Sequence, residues 1–188
     1  MRAFAGLPLE TERLSLRPLG EGDAEALFTI FADARVMRYW SSPPWKDHEP
    51  AHAMIEADRE AATREFLRLG LERKEDGRLL GTCTLFAIHE ASRRAETGYA
   101  LASHAWGHGY MLEAMGALLR YGFETLDLNR IEADIDPRNE PSARLLERLG
   151  FRREGLLRER WIVGGEVSDS TLYGLLRRDW RAGATGPA

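Results

Sequence analysis

Two glycines one residue apart stand in the run Trp106-Gly107-His108-Gly109-Tyr110-Met111. Just before them, Ala95 to Ser103 reads as a strand; just after them, Tyr110 to Leu126 reads as a helix. A glycine-rich turn from strand into helix leaves several backbone N–H groups unpaired and pointing one way, and the helix N-terminus adds partial positive charge. Such a turn is a socket for a phosphate or pyrophosphate. It is not a P-loop, because no Gly-Lys-Ser/Thr follows. It is a poor dinucleotide fingerprint, because Leu112 stands where a third glycine or alanine belongs. On the two glycines alone, a tight turn that binds nothing explains the pattern equally well.

Other chemistry is sparse. The single cysteine, Cys83, lies inside an apolar strand pattern and reads as a small buried residue rather than a nucleophile. One cysteine allows neither an internal disulfide nor a cysteine-rich metal site, and a reducing cytoplasm is the compartment expected. The five histidines show no metal spacing; His48 and His52 are four apart but lack the glutamate of a zinc protease. No metal is expected.

These residues need a scaffold. At 188 residues, 44% hydrophobic and 30% charged, the chain fits one soluble globular domain. The net charge of −4 argues against a general nucleic-acid binder and suits a cationic amine as ligand. No apolar run approaches the roughly 18 residues of a membrane span, and the first six residues are too short and too weakly apolar for a secretory signal.

Arg13 to Leu19 alternates as a half-buried strand. Asp23 is placed to cap a helix through Leu27, Ile30 and Phe31, and Pro50 opens a second through Ala51, Met54, Ile55 and Ala62. Phe66 to Leu71 and Leu79 to Ile88 form a hairpin through Asp76-Gly77, and Glu96 to Leu101 adds a third antiparallel strand. After the glycine turn, Leu112, Met115, Leu119, Phe123 and Leu126 share a helical face. Ile131 to Ile135 is a strand, and Leu145, Leu146 and Leu149 mark a short helix closed by Gly150. Phe151 to Gly155, Leu157 to Val163 and Ser170 to Leu176 read as final strands, with Gly164-Gly165 turning a hairpin. The expected fold is α/β (α+β): a single mixed, mostly antiparallel sheet of six to seven strands with helices on both faces. One domain is expected over residues 8–180, with 181–188 a flexible C-terminal tail.

The text around the turn resembles the acyl-coenzyme-A signature of the GCN5-related N-acetyltransferase (GNAT) family, most closely its ribosomal-protein (RimJ/RimL-type) branch. The matching residues are Tyr99-Ala100-Leu101, Trp106 to Tyr110 with Glu113-Ala114, Asn129 to Ala133, Asn139-Glu140-Pro141-Ser142-Ala143 and Leu149-Gly150-Phe151. Leu14 to Leu19 is similar to the family's first strand, and Leu172-Tyr173 to Leu176 to its last.

The resemblance implies an acetyl-CoA-dependent N-acetyltransferase that moves an acetyl group directly to a primary amine. Backbone amides of Gly107, His108, Gly109, Tyr110 and Met111 would hold the coenzyme A pyrophosphate, where side chains would block close approach. Trp106 is familiar at its position in this branch; Met111 is unusual. Acetyl transfer needs a base for the ammonium, N–H donors for the oxyanion and a donor for the leaving thiolate. Glu96 is similar in position to the strand glutamate that serves the family as base, and is otherwise a solvent-facing charge. The oxyanion donor is expected among Tyr99, Ala100 and Leu101. The helix tyrosine that serves many members as acid is replaced by Leu146. Ser142 is the branch's substitute, contacting the coenzyme sulfur, and Asn139 reaches the pantetheine arm; both residues also fit a helix cap. His108 is a weak phosphate-contact candidate; Arg144 and Arg148 could also meet the phosphates, but they share a helix face that solvent explains better.

The loop carrying Tyr39, Trp40 and Trp45 lies where the family shapes its acceptor pocket, with Trp161 on the late hairpin as a further candidate. Glu159 is a second-choice base. The acceptor is a protein N-terminal amine, ribosomal or other, or a small amine, and a nucleic acid or a membrane is not expected as partner. Homodimers are common in the branch. A catalytically weak acyl-CoA-binding sensor is the alternative class, motivated by the missing tyrosine.

Overall fold

A computed structural model describes residues 4–60 and 66–184. Eight strands form one sheet in the order β1-β2-β3-β4-β5-β6-β8-β7. They are β1 (Leu9–Glu10), β2 (Leu14–Arg17), β3 (Leu67–Arg73), β4 (Leu79–His89), β5 (Arg94–Leu101), β6 (Arg130–Ile135), β7 (Arg152–Val163) and β8 (Glu166–Leu176). Every neighbouring pair is antiparallel except β5–β6. The helices are α1 (Ala24–Ala32), α2 (Glu49–Glu60), α3 (Tyr110–Arg120), α4 (Glu140–Arg148) and α5 (Arg177–Ala184).

Register decides which side chains share a face. Arg68 lies opposite Thr84, and Leu67 opposite Leu85, so these two pairs face opposite sides. The Arg68 guanidinium meets Asp58 of α2 at 3.0 Å, which puts α2 on the first side. A Cβ at Gly122, just past α3, would touch Ile131 and Leu85, which puts that segment on the second. α1 packs with α2. The mixed sheet with helices on both faces is the fold expected.

Several elements depart from the sequence reading. The strand count is eight, because a two-residue strand precedes the first one expected. Phe151–Gly155 and Leu157–Val163 are not two strands. From Arg152 on they form the one strand β7, whose pairing with β8 slips between Arg153 and Gly155 and again between Leu157 and Trp161. Asp23 does not cap α1 through its side chain; its carboxylate accepts the Gly20 N–H at 2.8 Å and pairs with Arg17 at 2.7 Å. The helix expected from Tyr110 to Leu126 is α-helical to Arg120 and continues as a π turn over Tyr121–Thr125. Its buried face is Met111, Ala114, Met115, Leu118 and Leu119, so Met111 serves the core and Leu112 lies at its edge. Residues 181–184, expected within a tail, belong to α5, and 185–188 lie outside the described residues, as does Ala62 of the second expected helix.

The fold positions a site by splitting its own sheet. β5 and β6 pair only through Arg94↔Arg130, Ala95↔Ile131 and Glu96↔Glu132. Beyond Glu96, β5 stays on β4 as far as Leu101, and β6 stays on β8 as far as Ile135. A wedge opens between them. The Ala102 N–H donates to the Leu80 carbonyl of β4. Antiparallel alternation therefore turns the N–H groups of Tyr99 and Leu101, which lie past the last β5–β6 pair, away from β4 and toward the open wedge. Along this edge β5 has backbone donors and no partner strand.

Candidate active site

The glycine turn has the conformation its sequence demands. Gly107 and Gly109 both sit at φ +78°, in the left-handed region, and Gly109 is the N-cap of α3. The turn is held from the other end of the chain. The Arg13 guanidinium donates from Nη1 to the His108 carbonyl at 2.9 Å and from Nε to the Glu113 carboxylate at 2.7 Å. Glu113 also accepts the Thr11 hydroxyl at 2.7 Å and the Arg13 N–H at 2.8 Å. Burial pushes the Glu113 carboxyl up, but the hydrogen bonds from Thr11 and Arg13 outweigh it and hold the carboxyl below the usual carboxylate range. The Arg13 guanidinium lies 4.6 Å from the centre of the Tyr110 ring. Arg13 was not among the residues the motif singled out; its signal was only a basic residue beside the first strand.

A cavity of about 820 Å³ runs from this turn along the wedge. Tyr99, Ala100, Leu101, Trp106, Gly107, Gly109, Tyr110, Met111, Asn139 and Ser142 all line it, which brings together most of the expected coenzyme residues. Trp106 is braced by its indole N–H, which donates to the Leu101 carbonyl at 2.8 Å. Arg144 and Arg148 line the cavity too, Arg144 while paired with Glu140 at 3.0 Å. His108 is not among the lining residues; its side chain is exposed and its backbone serves Arg13.

α4 starts where β5 and the wedge need a donor. Asn139 is its N-cap, and its side-chain oxygen accepts the Ser142 N–H at 3.3 Å. Pro141 sits in the first turn, where no N–H is missed. Ser142 is buried, and its Oγ lies 2.7 Å from the Tyr99 hydroxyl. Burial pushes the Tyr99 phenol up to about 12, so it keeps its proton at neutral pH. Leu146 is fully buried in the core and, being aliphatic, has no proton to give.

A second cavity of about 360 Å³ meets the first at Tyr39, Trp40, Tyr99, Asn139 and Ser142. Its walls include Phe86, Glu96, Asp134, Asp136, Arg160 and Trp161. Three carboxylates face it, and two are already matched. Asp136 is gripped by Arg138 at 2.6 Å, which holds its carboxyl below the usual range, and Asp134 faces Arg160 at 3.7 Å. Glu96 has no ion pair or hydrogen bond from its side chain among the described residues. Glu159 lies off the cavity at φ +52°, in the bulged part of β7, its N–H donating to Asp169 at 2.8 Å. The bulge explains why Arg160 and Trp161, adjacent in sequence, both reach the cavity instead of alternating across the sheet. Trp45 reaches neither cavity; its ring stacks on Phe31 at 4.6 Å. Cys83 is fully buried and burial raises its thiol pKa, as befits a packing residue.

A glycine turn at a helix N-terminus, a split in the sheet and two cavities that meet at Tyr39, Trp40, Tyr99, Asn139 and Ser142 make one connected site. Residues 13–152 match the acetyltransferase (GNAT) domain family, and the chain belongs to it. Over 173 residues it is 38% identical to the N-acetyltransferase p20 of Bacillus licheniformis, covering 92% of this chain and 97% of that one. It is 29% identical over 183 residues to the [ribosomal protein uS5]-alanine N-acetyltransferase of Escherichia coli, with 93% of each chain covered. A spermidine N-acetyltransferase from Vibrio cholerae, solved with CoA and spermine, shares the fold at a TM-score of 0.81 and 23% identity, covering 91% of this chain and 99% of that one. This protein is an N-acetyltransferase that acetylates amines from acetyl-CoA.

The Arg13 brace makes its own prediction. Arg13→Met should raise the Kd for coenzyme A about tenfold, since one charge-assisted hydrogen bond is worth roughly 1.5–3 kcal/mol and solvent takes part of its place. Turnover at saturating acetyl-CoA should change less than twofold. Titration calorimetry beside steady-state kinetics checks both; an unchanged Kd removes Arg13 from the cradle.

Proposed function

We propose that this enzyme acetylates the α-amine of a protein N-terminus, and that Glu96 and Ser142 carry the proton work. The observation that supports this reading best is the charge pattern of the acceptor cavity. Of its three carboxylates only Glu96 is unmatched. A polyamine needs several free carboxylates along its length; one free carboxylate suits a single ammonium. The Arg160 guanidinium, half-exposed beside Trp161, offers donors to the peptide carbonyls that follow such an amine. The relative that acts on the alanine of ribosomal protein uS5 supports the same class of acceptor.

The donor site fits acetyl-CoA on this chain's own geometry. Two glycines in the left-handed region open a backbone cradle at a helix N-terminus, and the β5 edge leaves donors exposed along the wedge. In this reading the amides from Gly107 to Met111 hold the pyrophosphate, and Tyr99, Ala100, Leu101, Trp106 and Asn139 line the pantetheine arm. The bound cosubstrate supplies an activated acetyl thioester. Glu96 takes a proton from the incoming ammonium, directly or through one water. The N–H of Tyr99 or Leu101, both turned to the wedge, steadies the oxyanion. Ser142 donates a hydrogen bond to the departing sulfur. Attack is direct, so no protein nucleophile is needed. Tyr39, Trp40 and Trp161 enclose the acceptor.

Thiol release from acetyl-CoA, measured across peptides with free or blocked N-termini and across polyamines, tests this reading. Free N-termini should be turned over with the highest kcat/KM, and blocking them should abolish the reaction. A preference for polyamines overturns the acceptor class. Tight coenzyme binding with no turnover on any acceptor favours the sensor reading, which the buried Leu146 in place of a tyrosine motivates.

A further inference from the structure

We propose that Tyr99 is a positioning residue: its hydroxyl donates to Ser142 Oγ and so directs the one Ser142 proton toward the leaving sulfur. The inference rests on the reading of Ser142 as the sulfur's donor. The two oxygens lie 2.7 Å apart, and both residues line both cavities where these meet. Direction follows from counting protons. Each hydroxyl has one, and either can donate across this contact. Were Ser142 to donate to Tyr99, its only proton would be spent, and the phenolic proton would need another acceptor. Among the described residues the Tyr99 hydroxyl has no other hydrogen-bond partner. The phenol is also the stronger acid of the two, so donation from Tyr99 to Ser142 makes the better bond. Burial keeps the phenol protonated through the neutral range, so it stays a donor during turnover.

The rest of the local structure serves the same end. Ser142 is the third residue of α4, its N–H is held by the Asn139 side chain, and among the described residues its Oγ has no hydrogen-bond partner besides the Tyr99 hydroxyl. The serine is buried, so bulk water is not free to reorient its hydroxyl. What remains is a rotor with one fixed acceptor lone pair and one O–H aimed away from Tyr99, into the junction. A lone serine hydroxyl spins among three rotamers; one held by a tyrosine is already oriented when the C–S bond begins to break. The tyrosine also explains how a chain without the helix tyrosine can assist the thiolate: the phenol reaches the site from the strand instead, and acts through serine.

The test is a double-mutant cycle on the full chain with acetyl-CoA and whichever acceptor peptide turns over fastest. Ser142→Ala should lower kcat about 100-fold and Tyr99→Phe about tenfold, because the first removes the donor and the second only its orientation. The double variant should be no slower than Ser142→Ala alone, since Tyr99 has nothing left to orient. The Kd for coenzyme A should stay within about twofold throughout, a split between binding and turnover that a merely structural tyrosine would not give. Tyr99→Phe keeps the ring, and its melting temperature checks that the fold survives. A slow Ser142→Ala beside a normal Tyr99→Phe overturns the proposal and leaves the role of Ser142 standing. Losses that multiply in the double variant also overturn it. A normal Ser142→Ala overturns both readings together.

Discussion

Glu96→Gln is expected to lower kcat by about 100-fold or more at pH 7 while leaving coenzyme affinity unchanged. The size follows from the usual contribution of a positioned general base, roughly 10²–10⁴ in rate. Gln keeps the shape and the polarity of the side chain, so the cavity keeps its walls, but the amide takes up no proton. The loss should also depend on pH in a definite direction. An α-amine titrates at about 7.7–8.0, so near pH 6 almost all of the acceptor is ammonium. Without the carboxylate, the reaction runs on the small fraction already neutral. The variant's rate should therefore climb about tenfold per pH unit up to roughly pH 8 and then level, narrowing its gap to the parent. Asp134→Asn offers the contrast. Asp134 already faces Arg160, so its loss should mainly raise the acceptor KM. Turnover by Glu96→Gln equal to the parent across the whole range would place the base elsewhere.

Much of this was legible from residue order. The meander of β3, β4 and β5, the helix after the glycine turn and the short helix with Asn139 at its head all follow from period and punctuation. What sequence could not show was pairing in three dimensions. The motif singles out Tyr99 and Ser142 separately, 43 residues apart, but nothing in the residue order says that their side chains meet. Only the wedge between β5 and β6 brings their hydroxyls together. Arg13 was hidden for a related reason: its partner, the His108 carbonyl, is 95 residues away and belongs to the backbone, which carries no signature in the sequence.

The aromatic residues show where local reading fails. Trp40 and Trp45 share one loop and one composition, yet Trp40 walls both cavities while Trp45 is stacked on Phe31. Period cannot separate them, because the loop has none. The bulge in β7 is a further case. A regular strand would send Arg160 and Trp161 to opposite faces, and its two-residue excess opposite Asp169 lets both line the second cavity.

Gly109→Val should weaken coenzyme A binding about 100-fold. At φ +78° an L-residue carries roughly 1–2 kcal/mol of strain, and a β-branched one carries more. The added Cβ would also stand 3.5 Å from the Arg13 guanidinium, so a branched side chain pushes against the brace that shapes the turn. Relief of either kind turns the N–H groups of the first helical turn off their common aim. A 100-fold loss is about 2.8 kcal/mol, the worth of one or two charge-assisted hydrogen bonds. Strain alone would predict a loss of stability without a specific loss of binding, and Gly77→Val separates the two. Gly77 turns the β3–β4 hairpin at φ +69°, with nothing within 4 Å of its would-be Cβ and no place in either cavity. Both variants should melt at lower temperature than the parent. Coenzyme A at about 100 times the parent's Kd should raise the melting temperature of Gly77→Val as fully as that of the parent, and that of Gly109→Val far less, because the stabilisation scales with RT ln(1 + [L]/Kd). Equal ligand shifts in the two variants would mean that Gly109 serves only to turn the chain, and that the phosphates are held by side chains such as Arg144 and Arg148 instead.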